Sequence, residues 1–206
     1  MITSKAQQVR AILAWVLLVV ILIAPIVIAA MSPLLQWRDP IYIAAGFAGI
    51  FGLVLLLVQP LLAGGHLPGF GMRASRRLHQ YIGVCLVLAV IVHVVGLWIT
   101  SPPDVVDVLL FRSPTPFSIW GVVAMWAVFA AAFLAVIRQS LRPVLWRLAH
   151  TSLAVIIVIG TVVHALLIEG TMGTVSKGVL SALAVVATIK VILDLRVWAL
   201  LLRRRT

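Results

Sequence analysis

The chain has 206 residues, 64% of them hydrophobic, with 16 Lys and Arg against 5 Asp and Glu. Soluble domains carry roughly 45–50% apolar residues; a chain this short cannot bury such an excess, so lipid must be the solvent for most of it. A net charge of +11 would suggest nucleic acid as the partner of a soluble protein. Here the cations sit in short connections between apolar runs, the distribution that sets membrane topology, so the bilayer and not nucleic acid is the expected partner.

A membrane-crossing helix needs about 20 predominantly apolar residues. Six stretches meet that demand, at approximately 11–31, 41–62, 78–100, 119–137, 148–168 and 178–200. The first follows Lys5 and Arg10 and is longer than the ~7–15-residue apolar core of a secretory signal, so a retained span is expected. Pro33 and Pro40 bracket the first connection, and the second runs through Gly64-Gly65-His66-Leu67-Pro68-Gly69, where His66 reads as a solvated loop residue, with a cofactor or cytosolic partner as its alternative. The only cysteine, Cys85, lies in the third apolar run. It excludes an internal disulfide and reads as a small buried hydrophobe.

Ser101-Pro102-Pro103 and Ser113-Pro114-Thr115-Pro116 bound the longest connection. It mixes Asp104 and Asp107 with Val105, Val106, Leu109, Leu110 and Phe111, the pattern of an interfacial helix or a docking surface. Arg142-Pro143 breaks the chain after the fourth stretch, and Gly170 to Gly173 after the fifth. On the last stretch, Lys190 and Asp194 are four residues apart, with Arg196 just beyond. They read as an ion pair on one helix face, with a quinone or proton site as the sharper alternative.

The N-terminus, second and fourth connections and C-terminus hold Lys5, Arg10, Arg73, Arg76, Arg77, Arg138, Arg142, Arg147, Arg203, Arg204 and Arg205. The other three connections hold only Arg38, Arg112 and Lys177, beside Asp39, Asp104, Asp107 and Glu169. Both termini are therefore expected in the cytoplasm, which six spans allow. Trp37, Trp98 and Trp120 fall near the outer boundary and Trp146 and Trp198 near the inner one, as an aromatic belt would. The expected fold is a single all-α domain over residues 1–206, a six-transmembrane-helix bundle.

Four histidines lie inside the spans. His79 and His93 share the third, His150 and His164 the fifth, and both pairs are 14 residues apart. Four helical turns take about 14.4 residues, so each pair projects from one face with ~21 Å between its members. The third and fifth spans run in the same direction. His79 and His150 then share the inner level, His93 and His164 the outer. Ionisable groups in a membrane are costly and mark function, and facing imidazoles at equal depth are what bis-histidine haem ligation requires. Gly83, Gly96 and Gly160, about one turn from His79, His93 and His164, are expected to make room for a macrocycle or to pack helices. Zinc or di-iron would want clustered carboxylates, cysteines or closer histidines.

Arg76-Arg77-Leu78-His79 through His93, with Trp146-Arg147-Leu148-Ala149-His150 through His164, resembles the ferric reductase-like transmembrane domain. That family includes the membrane parts of NADPH oxidases, ferric reductases and the haem subunit of periplasmic methionine sulfoxide reductase. The resemblance implies two haem b groups, the inner on His79 and His150 and the outer on His93 and His164. It also implies electron flow from a cytoplasmic flavin to an outer acceptor (a protein, a metal ion or oxygen), in a bacterial inner (plasma) membrane. Arg76, Arg77 and Arg147 would meet the inner propionates, and Arg112 the outer. No residue need act as an acid–base catalyst, so the chain is expected to be a redox subunit. No glycine-rich nucleotide fingerprint opens a strand–helix unit, so a separate flavin reductase is the expected donor. The alternatives are a quinone-linked dihaem cytochrome b subunit and, from another class, a transporter or assembly protein using the histidines without haem.

Overall fold

A computed structural model describes residues 4–195, and within them the chain is helical with no strand. Seven helices follow in order: α1 (Lys5–Ala30), α2 (Pro40–Ala63), α3 (Met72–Thr100), α4 (Pro102–Leu109), α5 (Ser118–Val136), α6 (Pro143–Leu167) and α7 (Thr174–Asp194). All but α4 are long and apolar enough to cross a membrane. The six-span bundle read from the sequence is thus what forms. The expected continuation of the last span to residue 200, with Arg196, Trp198 and Arg203 to Arg205, lies outside the described residues.

Local chemistry starts four of the helices. Ser4 Oγ accepts from Gln7 N while Gln7 Oε1 accepts from Ser4 N, a reciprocal cap that satisfies two end groups of α1. Asp39 Oδ1 accepts from Ile41 N at 2.7 Å ahead of Pro40, whose fixed φ and missing N–H suit the first helical position. Pro102 and Pro143 open α4 and α6 in the same way. The turn from α2 to α3 needs Gly65 (φ +66°) and Gly69 (φ +84°), left-handed positions that glycine takes without a Cβ clash.

Four helices begin well before hydropathy suggested, α1 at Lys5 rather than 11 and α7 at Thr174 rather than 178 among them. α3 starts at Met72 rather than 78 and α6 at Pro143 rather than 148. Their extra turns carry Arg73, Arg76, Arg77 and Arg147, all exposed. A hydropathy window detects only the part of a helix immersed in lipid, and hydrogen bonding continues past that slab. The 101–118 connection contains a short helix, the first of its two alternatives: α4 buries Val105 and leaves Asp104 and Asp107 exposed.

The tightest packing lies within two antiparallel hairpins, α2–α3 and α5–α6. A Cβ on Gly96 would meet Ala45 Cβ at 2.8 Å, and one on Gly160 would meet Ala124 Cβ and Trp120 O at 3.0 Å. These glycines let backbones approach closely. Gly83 faces only the Gln59 amide, at 3.3 Å. The helix-packing role is therefore the correct one for Gly96 and Gly160. α7 packs on α2 and α6, and Leu53, Leu57, Val128, Ile157, Leu180 and Ala184 join the shared core. α1 is peripheral, tied to the α2–α3 turn by Trp15 Nε1 donating to Pro68 O at 3.2 Å. Cys85 corrects its expectation: it is exposed on the outside of α3, not buried.

Candidate functional site

α3 and α6 run parallel and face each other, yet each packs mainly on its own hairpin partner. Between them stand the four histidines. The ring centres of His79 and His150 are 6.2 Å apart, with planes at 78°. Those of His93 and His164 are 6.5 Å apart, with planes at 79°. The equal spacing of 14 residues thus pairs the histidines level by level, in the order the helical period predicts.

Each ring is held by a specific partner. His93 Nδ1 lies 2.7 Å from Ala45 O, His164 Nδ1 2.9 Å from Phe117 O and His79 Nδ1 3.2 Å from Gln59 O. A carbonyl can only accept, so in each case Nδ1 carries the proton and Nε2 keeps its lone pair. A backbone carbonyl on one imidazole nitrogen is the usual way a metal-ligating histidine is oriented and made more basic. His150 is the exception. Its Nδ1 is buried without a partner, and its ring instead stacks on Trp146, 4.7 Å away at 19°.

Glycines seat the second level. A Cβ on Gly49 would meet His93 Nδ1 at 3.0 Å, and one on Gly121 would meet His164 Nδ1 at 2.7 Å. Each glycine lies four residues after the carbonyl its histidine uses, Ala45 and Phe117, so the imidazole lies flat against the turn it bonds to. The two hairpins repeat one construction. His150 and His164 follow His79 and His93 by 71 residues, and Phe117 and Gly121 follow Ala45 and Gly49 by 72. The sequence reading missed Gly49 and Gly121, and took Trp146 for an aromatic-belt residue with no part in holding a histidine. An offset comparison of the chain with itself carries the signal for both glycines.

The arrangement fits a planar tetrapyrrole iron. Two metal–nitrogen bonds of about 2.0 Å, with roughly 1.1 Å from each nitrogen to its ring centre, put facing imidazole centres ~6.2 Å apart. The observed 6.2 and 6.5 Å lie at and just above that value. Among the described residues no three His, Cys, Asp or Glu side chains gather into one metal-binding group. Each level offers two nitrogens, suiting a group that brings its own four.

Other expected residues fall around these levels. Arg76, Arg77 and Arg147 are exposed at the His79–His150 end and make no ion pair or hydrogen bond among the described residues. Arg112 is exposed at the opposite end. Lys190 Nζ meets Asp194 Oδ2 at 2.8 Å, the expected ion pair. His66 corrects its solvated-loop expectation. Its Nε2 lies 3.2 Å from the same carboxylate oxygen, off hydrogen-bond geometry, with the side chain 26% exposed. The glycine-rich loop folds back over the end of α7, which brings the three together.

Six spans and two facing imidazole pairs define an integral membrane helix bundle with paired histidines at two levels. The family model for the ferric reductase like transmembrane component matches residues 45–161, more than half of the chain. The chain belongs to that family, whose members are generally haem-binding and work in transmembrane electron transfer. The match takes in His79, His93 and His150 and stops three residues short of His164, which the pairing with His93 supplies. No curated protein and no solved structure matches the chain.

Proposed function

We propose that the protein carries electrons across a bacterial inner membrane by way of two bis-histidine haem b groups. His79 and His150 hold the inner group and His93 and His164 the outer; when bound, these groups supply reversible one-electron exchange. The observation that carries the reading is the pair of ring separations, 6.2 and 6.5 Å, repeated at two depths ~21 Å apart. Backbone carbonyls at Gln59, Ala45 and Phe117 aim three Nε2 lone pairs into the slot. The apolar walls exclude water and so favour electron over proton chemistry. Leu86 and Val90 of α3 fall on its histidine face between the levels, and Ile157 on that of α6.

Direction follows from charge. The end bearing Arg73, Arg76, Arg77, Arg142 and Arg147 is cytoplasmic by the positive-inside rule. Its guanidinium groups, exposed and unpaired among the described residues, suit the inner propionates and an acidic electron donor. A separate flavin reductase is that donor, and the acceptor lies on the outer side. A quinone-linked cytochrome is the second reading, motivated by the Lys190–Asp194–His66 group at the same end.

The test is spectroscopic. Purified protein should bind two haems per chain, with the α and Soret bands of six-coordinate haem in the reduced-minus-oxidised spectrum. Preparations with no haem, or one, would sink the reading. The ring planes sharpen it: at 78° and 79° they leave the two iron π orbitals nearly degenerate. Both ferric centres should therefore give strongly anisotropic low-spin EPR signals, and an ordinary rhombic spectrum would contradict the observed planes.

Trp146→Leu should lower inner-haem occupancy and spare the outer, because the stacked indole is the hold on a ring whose Nδ1 has no partner. Equal loss of both haems would assign Trp146 a general folding role instead.

A further inference from the structure

Lys177 is the only buried charged residue among the described residues, 7% exposed. The sequence placed it in an outer connection; the structure places it in the first turn of α7. A cation is disfavoured there by its own helix, whose N-terminus carries partial positive charge. No carboxylate among the described residues comes within ion-pair reach of it. Its compensation comes from another helix. Nζ donates to Ile168 O at 2.6 Å and to Leu166 O at 3.3 Å, end carbonyls of α6 that lack helical partners and carry partial negative charge. Those carbonyls directly follow His164, whose own carbonyl accepts from Ile168 N at 3.1 Å. The ammonium therefore lies about one helical turn beyond the outer histidine pair, in protein rather than in water.

We propose that Lys177 is a positioning and potential-setting residue for the outer pair, making that level the electron sink. The inference rests on the haem reading above. Propionates aside, the iron–porphyrin core of a ferric haem with two neutral imidazoles carries one positive charge and loses it on taking one electron. A fixed cation nearby opposes the oxidised form, so it raises the midpoint potential. At roughly 10 Å and an effective dielectric of ~20, one charge biases a one-electron equilibrium by about tenfold. The inner level has many cations, but Arg76, Arg77 and Arg147 are exposed and screened by salt. One buried charge at one level thus produces an inner-to-outer gradient, and the same ammonium holds the end of the helix that carries His164.

The experiment is a spectroelectrochemical titration of the full-length, haem-loaded wild type, Lys177→Gln and Lys177→Arg, each repeated with His79→Ala to isolate the outer haem. Glutamine keeps a donor for the α6 carbonyls and drops the charge, whereas arginine keeps both. Lys177→Gln should lower the outer midpoint and move the electron distribution about tenfold towards the inner haem, while Lys177→Arg stays near wild type. An outer midpoint unchanged in Lys177→Gln overturns the proposal, as does an equal fall at both levels. Loss of the outer haem in Lys177→Gln but not Lys177→Arg would reduce Lys177 to a helix cap and also overturns it. A wild type without haem fails differently, removing the underlying reading before any titration.

Discussion

His79→Ala and His150→Ala should each abolish the same haem, and His93→Ala and His164→Ala should each abolish the other. Every variant should keep one six-coordinate haem with near-native bands. The expectation rests on two facing pairs, 6.2 and 6.5 Å between ring centres, separated by ~21 Å of helix, so that no histidine can substitute across levels. Removing a carbonyl partner of a ligating histidine typically costs 10–100-fold in metal affinity, and removing the ligand itself should cost more than about 100-fold. Haem content per chain and the Soret amplitude check this directly. A pair of variants that crossed levels, such as His79→Ala and His164→Ala losing one common haem, would refute the pairing. Loss of both haems in all four variants would show that the levels fold as one unit.

The second large effect is expected at a residue that touches no metal. Gly121→Ala should lower outer-haem affinity by roughly tenfold, since overpacking of this kind costs about 1–3 kcal/mol. The new Cβ would stand 2.7 Å from His164 Nδ1 and 2.9 Å from Cε1, too close for any carbon, so the ring must swing away from Phe117 O. Gly49→Ala should act in the same direction on His93 but more weakly, with contacts at 3.0 and 3.1 Å. Gly46→Ala is the control. Nothing stands within 4 Å of its added carbon, so it should bind both haems normally. Isothermal haem titration of the apoprotein ranks the three, and outer affinity equal in Gly121→Ala and Gly46→Ala would contradict the seating of His164.

Much of this site was legible before any coordinates. Lipid offers no hydrogen bonds, so every span must be helical, and a helix converts sequence spacing into direction and depth. Fourteen residues is nearly four turns, which made the alignment of His79 with His93, and of His150 with His164, a matter of arithmetic. The partners of Nδ1 were not legible. They are backbone carbonyls, which every residue has, and only packing decides that Ala45 and Phe117 lie beside the imidazoles while Ala131, 72 residues after Gln59, does not serve His150. Gly49 and Gly121 were overlooked for a related reason. A glycine in a span is ordinary, and its meaning appears only when the neighbouring helix lays a ring across it.

Lys177 marks the same boundary from the other side. Counting charges assigned it to topology, because a linear count cannot distinguish a solvated lysine from one folded back onto the end of another helix. The sequence by itself determined the solvent, the number of spans and the level-by-level pairing of the histidines, since each follows from local periodicity and composition. The tertiary structure alone decided how each imidazole is held, which glycines seat the rings of His93 and His164 and where Lys177 is buried. Those depend on contacts between residues far apart in the chain, for which one-dimensional spacing has no rule.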